Sequence, residues 1–571
     1  MTSHHFHRPR ERPFTADERG KVTVLIGGLT WKHERLIQAV LEQAGHRCDI
    51  LPTPDVAAFQ TGKDYGNNAQ CNPTYFCAGS LIQYLRRLEA QGLSRGEIID
   101  RYVFFTAGAC GPCRFGMYEA EYRLALRHAG FDGFRVLLFR QNDGVNAGTG
   151  NPGLELTVDV GLGAVASFNA ADALNDLGYR IRPFEVNPGD TDRAMREVVD
   201  TLAEAFRSWP TLQMYDLLPR WLAGHLDRNN PRYVVANSLA KMAERLYGRA
   251  SRDLYDACCQ RLARVEVDWL RVRPVVKVVG EFWAQQTEGD GNFRTFEFLE
   301  HEGAQAIGEP LGGWVTYLLY QRRAMAAARR HADEPYARPR WWAAHERAVN
   351  ALHFHSRWAA FALGEWFWDL QYARVARALG NAGSRLVPQA ELARLAHPFY
   401  HQLARGGEGH LEVGKSIYYT VHRRCHMVLS LKPFGCLPST QSDGVHAAVV
   451  SRYPEMIFLP IETSGEGQIN AYSRVQMAFG EARARARAEF AAALERSRRR
   501  LDEIRAYAAD HPELRSATFR VPPSPHAAGT AARFVLHVGR LMNGRPRSIG
   551  WRASGHSATP HAGIPAGASG A

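Results

Sequence analysis

Along the first 210 residues, short β-branched runs alternate with longer stretches whose apolar positions recur every three or four residues. Lys21 to Gly27 reads as a strand closed by the Gly27-Gly28 turn, and Trp31 to Ala44 as the helix after it. The series continues with a strand at Cys48 to Leu51, a helix from about Thr74 to Ala90 and a strand at Tyr102 to Thr106. A helix over Tyr118 to His128 and a strand over Arg135 to Arg140 follow, and Leu156 to Leu177 and Thr191 to Trp209 read as further helices. Strands alternating with helices predict a doubly wound parallel sheet, with its functional loops at the carboxyl ends of the strands.

From about Thr211 to Leu270 the period is helical and no strand stands out. Val275 to Val279 opens a second series, with a helix over Phe293 to Glu302 and a strand over Ala304 to Ile307. A long helical block follows, about Trp314 to Gln402, then strands at Met427 to Leu431 and Met456 to Ile461 and a helix from Tyr472 to Tyr507. The tryptophans of the block (Trp341, Trp342, Trp358, Trp366, Trp368) read as core packing. The expected fold is therefore α/β, with two Rossmann-like or flavodoxin-like parallel-sheet domains and helical insertions. They span 20–210 and 271–507, the second holding the helical insertion at about 314–404, and a helical linker region covers 211–270. Residues 1–19 and 508–571 read as disordered tails, the second rich in Gly, Ala, Pro, Ser and His apart from apolar Phe534 to Val538.

Composition changes this picture little. With 571 residues the chain exceeds one typical domain, and an apolar share of 45% supports sizeable cores. Lys plus Arg number 70 against 58 Asp plus Glu, a formal charge of +12. The excess is spread along amphipathic stretches such as Glu481 to Arg500, which marks solvated helix faces and argues against a nucleic-acid partner. An anionic substrate such as a nucleotide or coenzyme A stays compatible. No apolar leader and no run of membrane-spanning length stand out, so the expected compartment is a reducing cytoplasm without membrane attachment. There, nine cysteines point to metal or redox chemistry before disulfides. His4, His5 and His7 read as part of an exposed basic tail.

Three strand-end loops carry the candidate thiols. Cys110 and Cys113 sit in Ala109-Cys110-Gly111-Pro112-Cys113-Arg114 between a strand and a helix, where unpaired N–H groups and the helix dipole favour thiolate. Cys71 precedes Asn72-Pro73-Thr74, a capping sequence that points another helix N-terminus at it. Cys436 lies in Lys432-Pro433-Phe434-Gly435-Cys436-Leu437-Pro438, directly after a strand. Spacing alone leaves zinc, an iron–sulfur cluster or no metal open. The remaining five, Cys48, Cys77, Cys258, Cys259 and Cys425, read as small buried hydrophobes. Cys-Gly-Pro-Cys is also the thioredoxin-type redox sequence, although Ala109 stands where Trp is usual. Gly409 to Ser416 matches the spacing of a phosphate-binding loop, but the segment before it reads as helix where a strand is required. Two polar strand-end segments, Glu281 to Asn292 and Glu462 to Asn470, suit a polar ligand or a plain turn and cap.

Together these segments resemble one family. Cys71 to Phe76, Cys110 to Glu119, Val278 to Trp283, Lys432 to Thr440 and Ile461 to Asn470 are similar to the 2-hydroxyglutaryl-CoA dehydratase homologue branch of the 2-hydroxyacyl-CoA dehydratase and benzoyl-CoA reductase superfamily. The resemblance covers about residues 20–490. It implies Rossmann-like domains holding a [4Fe-4S] cluster through cysteines from separate loops, with Cys71, Cys110, Cys113 and Cys436 as the ligand set. Three thiolates with one iron left open would make Cys110 the ligand of its pair. Glu281, Glu288 or Ser464 would then approach the site. The resemblance also implies a separate activator ATPase of actin-like fold, itself iron–sulfur bound, that injects a low-potential electron for radical chemistry on an acyl-CoA. Outside that resemblance stand two other expectations, a scaffold, electron-transfer or maturation protein with a structural metal, and a dithiol oxidoreductase.

Overall fold

Each of the two α/β series forms its own sheet. The computed structural model describes residues 11–108, 113–140, 144–145, 152–210, 231–333, 344–404, 407 and 409–544. In the first sheet β1 (Thr23–Ile26), β2 (Arg47–Ile50), β3 (Tyr102–Gly108) and β4 (Arg135–Arg140) are parallel. The two-residue β5 (Gly144–Val145) adds an antiparallel edge, giving the order β2-β1-β3-β4-β5. The second sheet is all parallel, with β6 (Val275–Gly280), β7 (Gln305–Ile307), β8 (Met427–Pro433) and β9 (Phe458–Thr463) in the order β7-β6-β8-β9. Both orders put the first strand between the second and third, as in flavodoxin-like winding, so the expected α/β class with two parallel-sheet domains is the fold observed.

Side-chain alternation explains how each sheet is covered. Leu25, Phe104 and Val136 bury on one face of the first sheet, and Val24, Ile26, Val103 and Leu137 on the other. Val276, Val278, Leu429 and Leu431 face one layer of the second sheet, Val279 and Val428 the opposite one. Around the first sheet run α1 (Trp31–Gln43), α2 (Val56–Tyr65), α3 (Asn72–Ala90), α4 (Arg95–Arg101) and α5 (Tyr118–His128). Next come α6 (Val158–Ile181), α7 (Asp190–Arg207), α8 (Pro231–Tyr247) and α9 (Arg249–Leu262). The second half adds α10 (Phe282–Gln286), α11 (Thr295–His301), α12 (Leu311–Asp333), α13 (Ala344–Ala378) and α14 (Gln389–Ala396). It closes with α15 (Gly409–Val421), α16 (Leu437–Arg452), α17 (Gln468–Ser497), α18 (Leu501–Asp510) and α19 (Thr530–Met542). The largest apolar core is helical and draws on both halves, joining Leu36, Leu174, Val198 and Phe206 to Trp269, Leu379, Ile504, Leu514 and Phe534. Among the described residues no helix is long and apolar enough to cross a membrane.

Several expectations are corrected. Residues 11–19 are folded onto the first domain. Phe14 is buried, Glu18 pairs with Arg135 at 3.1 Å, and Glu11 pairs with Arg123. Residues 508–544 also belong to the fold, because α19 buries Phe534, Val535 and Val538 and uses Ala531 and Ala532 for close approach. The helix expected over Tyr472 to Tyr507 is two, broken at Arg498, whose left-handed φ of 54° ends α17. The last strand is shifted to Phe458–Thr463. Gly409 to Ser416 is buried helix, so it has no loop of free N–H groups to cradle a phosphate. Its Lys415 pairs with Glu309 at 2.8 Å, and its Ser416 hydroxyl donates to the Glu412 carbonyl at 2.8 Å. Trp366 is not core but 62% exposed, and Trp358 is 39% exposed. His4, His5, His7, Trp341 and Trp342 lie outside the described residues.

Candidate functional site

The carboxyl edges of the two sheets face one another, and their loops interlock. Trp31 N–H, in the turn after β1, donates to the Glu288 carboxylate beyond β6 at 2.9 Å. Val56 N–H, beyond β2, donates to Asp290 at 3.1 Å. Gln60 bonds Glu466 beyond β9 at 3.3 Å, and Gly465 lies against the Phe59 ring. A site placed here is built from both domains, at the sheet ends where doubly wound folds carry their ligands.

Three of the cysteine loops meet in this seam. Cys71 is the N-cap of α3, and Cys436 the N-cap of α16; both are buried, with a proline in the first turn of each helix. Neither N-terminus has a side-chain cap, so their first-turn N–H groups point toward the thiol loops. Gly435, in the left-handed region at φ 76°, stands beside the Cys71 backbone; a Cβ there would make ordinary contact, 3.5 Å from Cys71 Cα. Asn72 N–H donates to the Phe434 carbonyl at 3.3 Å, and the Asn72 amide donates to the Thr463 carbonyl at 2.6 Å. Those two bonds tie the Cys71 helix to the ends of β8 and β9. Cys113 is half-buried and opens a 3-10 turn, Arg114–Met117. Its neighbour Arg114 donates to the Ala69 carbonyl, two residues before Cys71. Cys110 lies outside the described residues.

Hydroxyl groups surround the Cys71 sulfur. Tyr118 Oη lies 3.0 Å from Sγ and Thr74 Oγ1 3.3 Å from it. Burial raises the Cys71 thiol above its ordinary range, while hydrogen bonds from Thr74 and Tyr118 work in the opposite direction. Glu281, near enough to disfavour the thiolate, caps α10 by accepting from Ala284 N–H at 2.8 Å. Burial lifts its carboxyl to about 7 against those N–H contacts. Glu288 is raised mainly by burial and is committed to the Trp31 bond. Ser464 spends its hydroxyl on the Glu466 carbonyl inside its own turn. Cys48 and Cys258 are buried, and burial pushes the thiols of Cys77 and Cys425 up to about 12, which keeps them protonated.

The donor chemistry fits a soft metal or cluster in kind. Thiols from separate loops stand on contacting backbone, two of them at helix N-termini whose N–H groups offset anionic charge. Among the described residues no group of three His, Cys, Asp or Glu side chains is gathered closely enough to hold a metal ion. Tyr118 and Gly435 escaped the sequence reading, and Asn72, expected to cap α3, instead lies inside the helix behind the Cys71 N-cap. Thr74, three positions beyond Cys71, carried a local signal, since that spacing returns a hydroxyl to the cap. No family model, curated protein or solved structure matches the chain.

Proposed function

We propose that the chain is an iron–sulfur protein of the 2-hydroxyacyl-CoA dehydratase type. In this reading Cys71, Cys436 and the Cys110–Cys113 pair hold a [4Fe-4S] cluster between the two domains. A separate ATP-dependent activator supplies a low-potential electron for radical chemistry on an acyl-CoA-type substrate. The observation that carries the reading is the meeting of the Cys71 and Cys436 loops at Asn72, Phe434 and Gly435, with the Cys113 loop tied to the Cys71 loop by Arg114. When bound, such a cluster accepts and passes single electrons at low potential. The chain's own contribution is electrostatic and steric. The N-termini of α3 and α16 offset the negative charge, Tyr118 and Thr74 bond the Cys71 sulfur, and burial excludes water from it. Met117, Phe434 and Leu437 are exposed apolar side chains beside Cys113 and Cys436, which suits the approach of a redox partner.

Anaerobic reconstitution tests the reading, with iron and sulfide assays and EPR of the reduced protein. The expected result is about four iron and four sulfide per chain and a reduced-cluster signal. Cys71→Ser and Cys436→Ser should each remove most of it, whereas Cys48→Ser and Cys258→Ser should leave it. Stoichiometric zinc without iron would replace this reading with the structural-metal scaffold. A protein that takes up neither metal would end both.

A further inference from the structure

Among the described residues, the helical hairpin of α12 and α13 carries an apolar face that is left uncovered. The inner side of α13 is occupied. Gly364 lies against Leu319, Glu365 pairs with Arg323 at 3.0 Å, and Trp368 reaches Gly312 and the Phe168 ring. On the opposite side, at helical spacing, stand Val349, Leu352, Ser356, Ala359, Leu363 and Trp366. Leu352 is 68% exposed, Leu363 62% and Trp366 62%, and none of the six residues is charged. A solvent-facing helix side ordinarily carries charge, so a row of this length without any calls for a cover.

The row is self-complementary. About the midpoint between Arg357 and Trp358, Val349 is the counterpart of Trp366, Leu352 of Leu363, and Ser356 of Ala359. A two-fold axis through that midpoint lays a second α13 antiparallel on the first. Each Leu352 then meets the partner's Leu363, and each Val349 lies across from the partner's Trp366. Small Ser356 and Ala359 at the centre let the two backbones approach, which is the arrangement an isologous helix pair needs. The exposed side chains of the row offer on the order of 600 Å² per copy, close to the ~800 Å² that each partner gives to a standard interface.

We propose that α13 pairs antiparallel with α13 of a second copy of this chain, making the protein a two-fold symmetric homodimer. Sedimentation velocity on the full chain over a wide concentration range tests it. Wild type should sediment at twice the chain mass. Leu352→Lys and Leu363→Glu should each weaken dimerisation by about 100-fold, because each buries an unpaired charge at the interface. The L352K/L363E double variant should recover the dimer, since antiparallel pairing puts the two new charges opposite each other. The separated monomer should keep the wild-type far-UV circular dichroism spectrum, both positions being exposed. A monomeric wild type overturns the proposal, including one that instead pairs with another protein. So does a dimer indifferent to both single changes, and a double variant that stays monomeric rules out the antiparallel register.

Discussion

Replacing Glu309 by Gln keeps the shape of the side chain and removes one buried charge on which two lysines depend. Lys277, with no exposed surface, lies 3.0 Å from the Glu309 carboxylate, and Lys415, 5% exposed, lies 2.8 Å from it. Lys277 also donates to the Gly308 carbonyl at 2.7 Å, so it cannot swing out to water without breaking that bond. Burial acts to raise the Glu309 carboxyl, but the two ammonium groups win and hold it below its ordinary 4.5. Removing one member of a buried pair costs about 3–5 kcal/mol, because the charge left behind stays desolvated. For a cooperative unit of ordinary domain size that is a fall in Tm of about 6–20 °C. Thermal unfolding followed by circular dichroism at pH 7 is the assay. Arg249→Ala, which breaks an exposed pair with Asp253, serves as the control and should move stability by less than about 0.5 kcal/mol. The sign with pH follows from the depressed carboxyl. Its stabilisation is present above 4.5 and is lost as pH falls through the lower folded value, so wild type and E309Q should converge in acid. An E309Q protein within about 1 kcal/mol of wild type at pH 7 would refute the reasoning.

Phe534→Ala should cost about 3–5 kcal/mol by opening a cavity in the shared helical core, where the ring is 2% exposed; chemical denaturation reads the loss, and a midpoint like wild type would return residues 508–544 to the status of a tail. Glu34→Gln addresses pH from the other side. Burial lifts the Glu34 carboxyl to about 8 against bonds from Leu29 and Gly28 N–H, so folding favours its protonated form. Its contribution is present below 4.5 and lost as pH rises through about 8, so E34Q should gain on wild type in Tm between pH 5 and 9. A constant difference across that range would show that the carboxyl titrates normally.

The two sheets were legible because most of their strands are short apolar runs set between helical stretches, and parallel pairing with intervening helices leaves few other arrangements. The loops of Cys113 and Cys436 were legible for the same reason, each following a strand, whereas the Cys71 loop, expected at a strand end, joins α2 to α3. What was hidden depends on distant partners. Tyr118 lies 47 positions from the Cys71 that it bonds, and Gly435 stands beside Cys71 although the two are far apart in the chain. The phosphate-loop spacing misled through its glycines, which serve helix packing. A Cβ at Gly414 would come within 2.6 Å of the Leu392 carbonyl oxygen, and one at Gly409 within 2.3 Å of the Tyr400 hydroxyl. The C-terminal segment read as disordered because Gly, Ala, Pro, Ser and His dominate its composition, which hid that the short apolar run Phe534 to Val538 is the buried face of a helix. Trp366 shows the reverse error. A large aromatic ring signals burial, but the ring alone does not say in which molecule the covering surface resides.

The shared helical core also has a timetable. Phe206 closes its N-terminal contribution, yet Phe534, on the last of the described helices, is required to complete it. At about 5–20 residues per second, a ribosome separates those two side chains by roughly 15–65 s. Through that interval the part of the core that Phe534 and Val538 cover stays open, and aggregation competes with folding until they are made. Slowing translation over the second half should therefore lower the soluble yield of an otherwise stable chain.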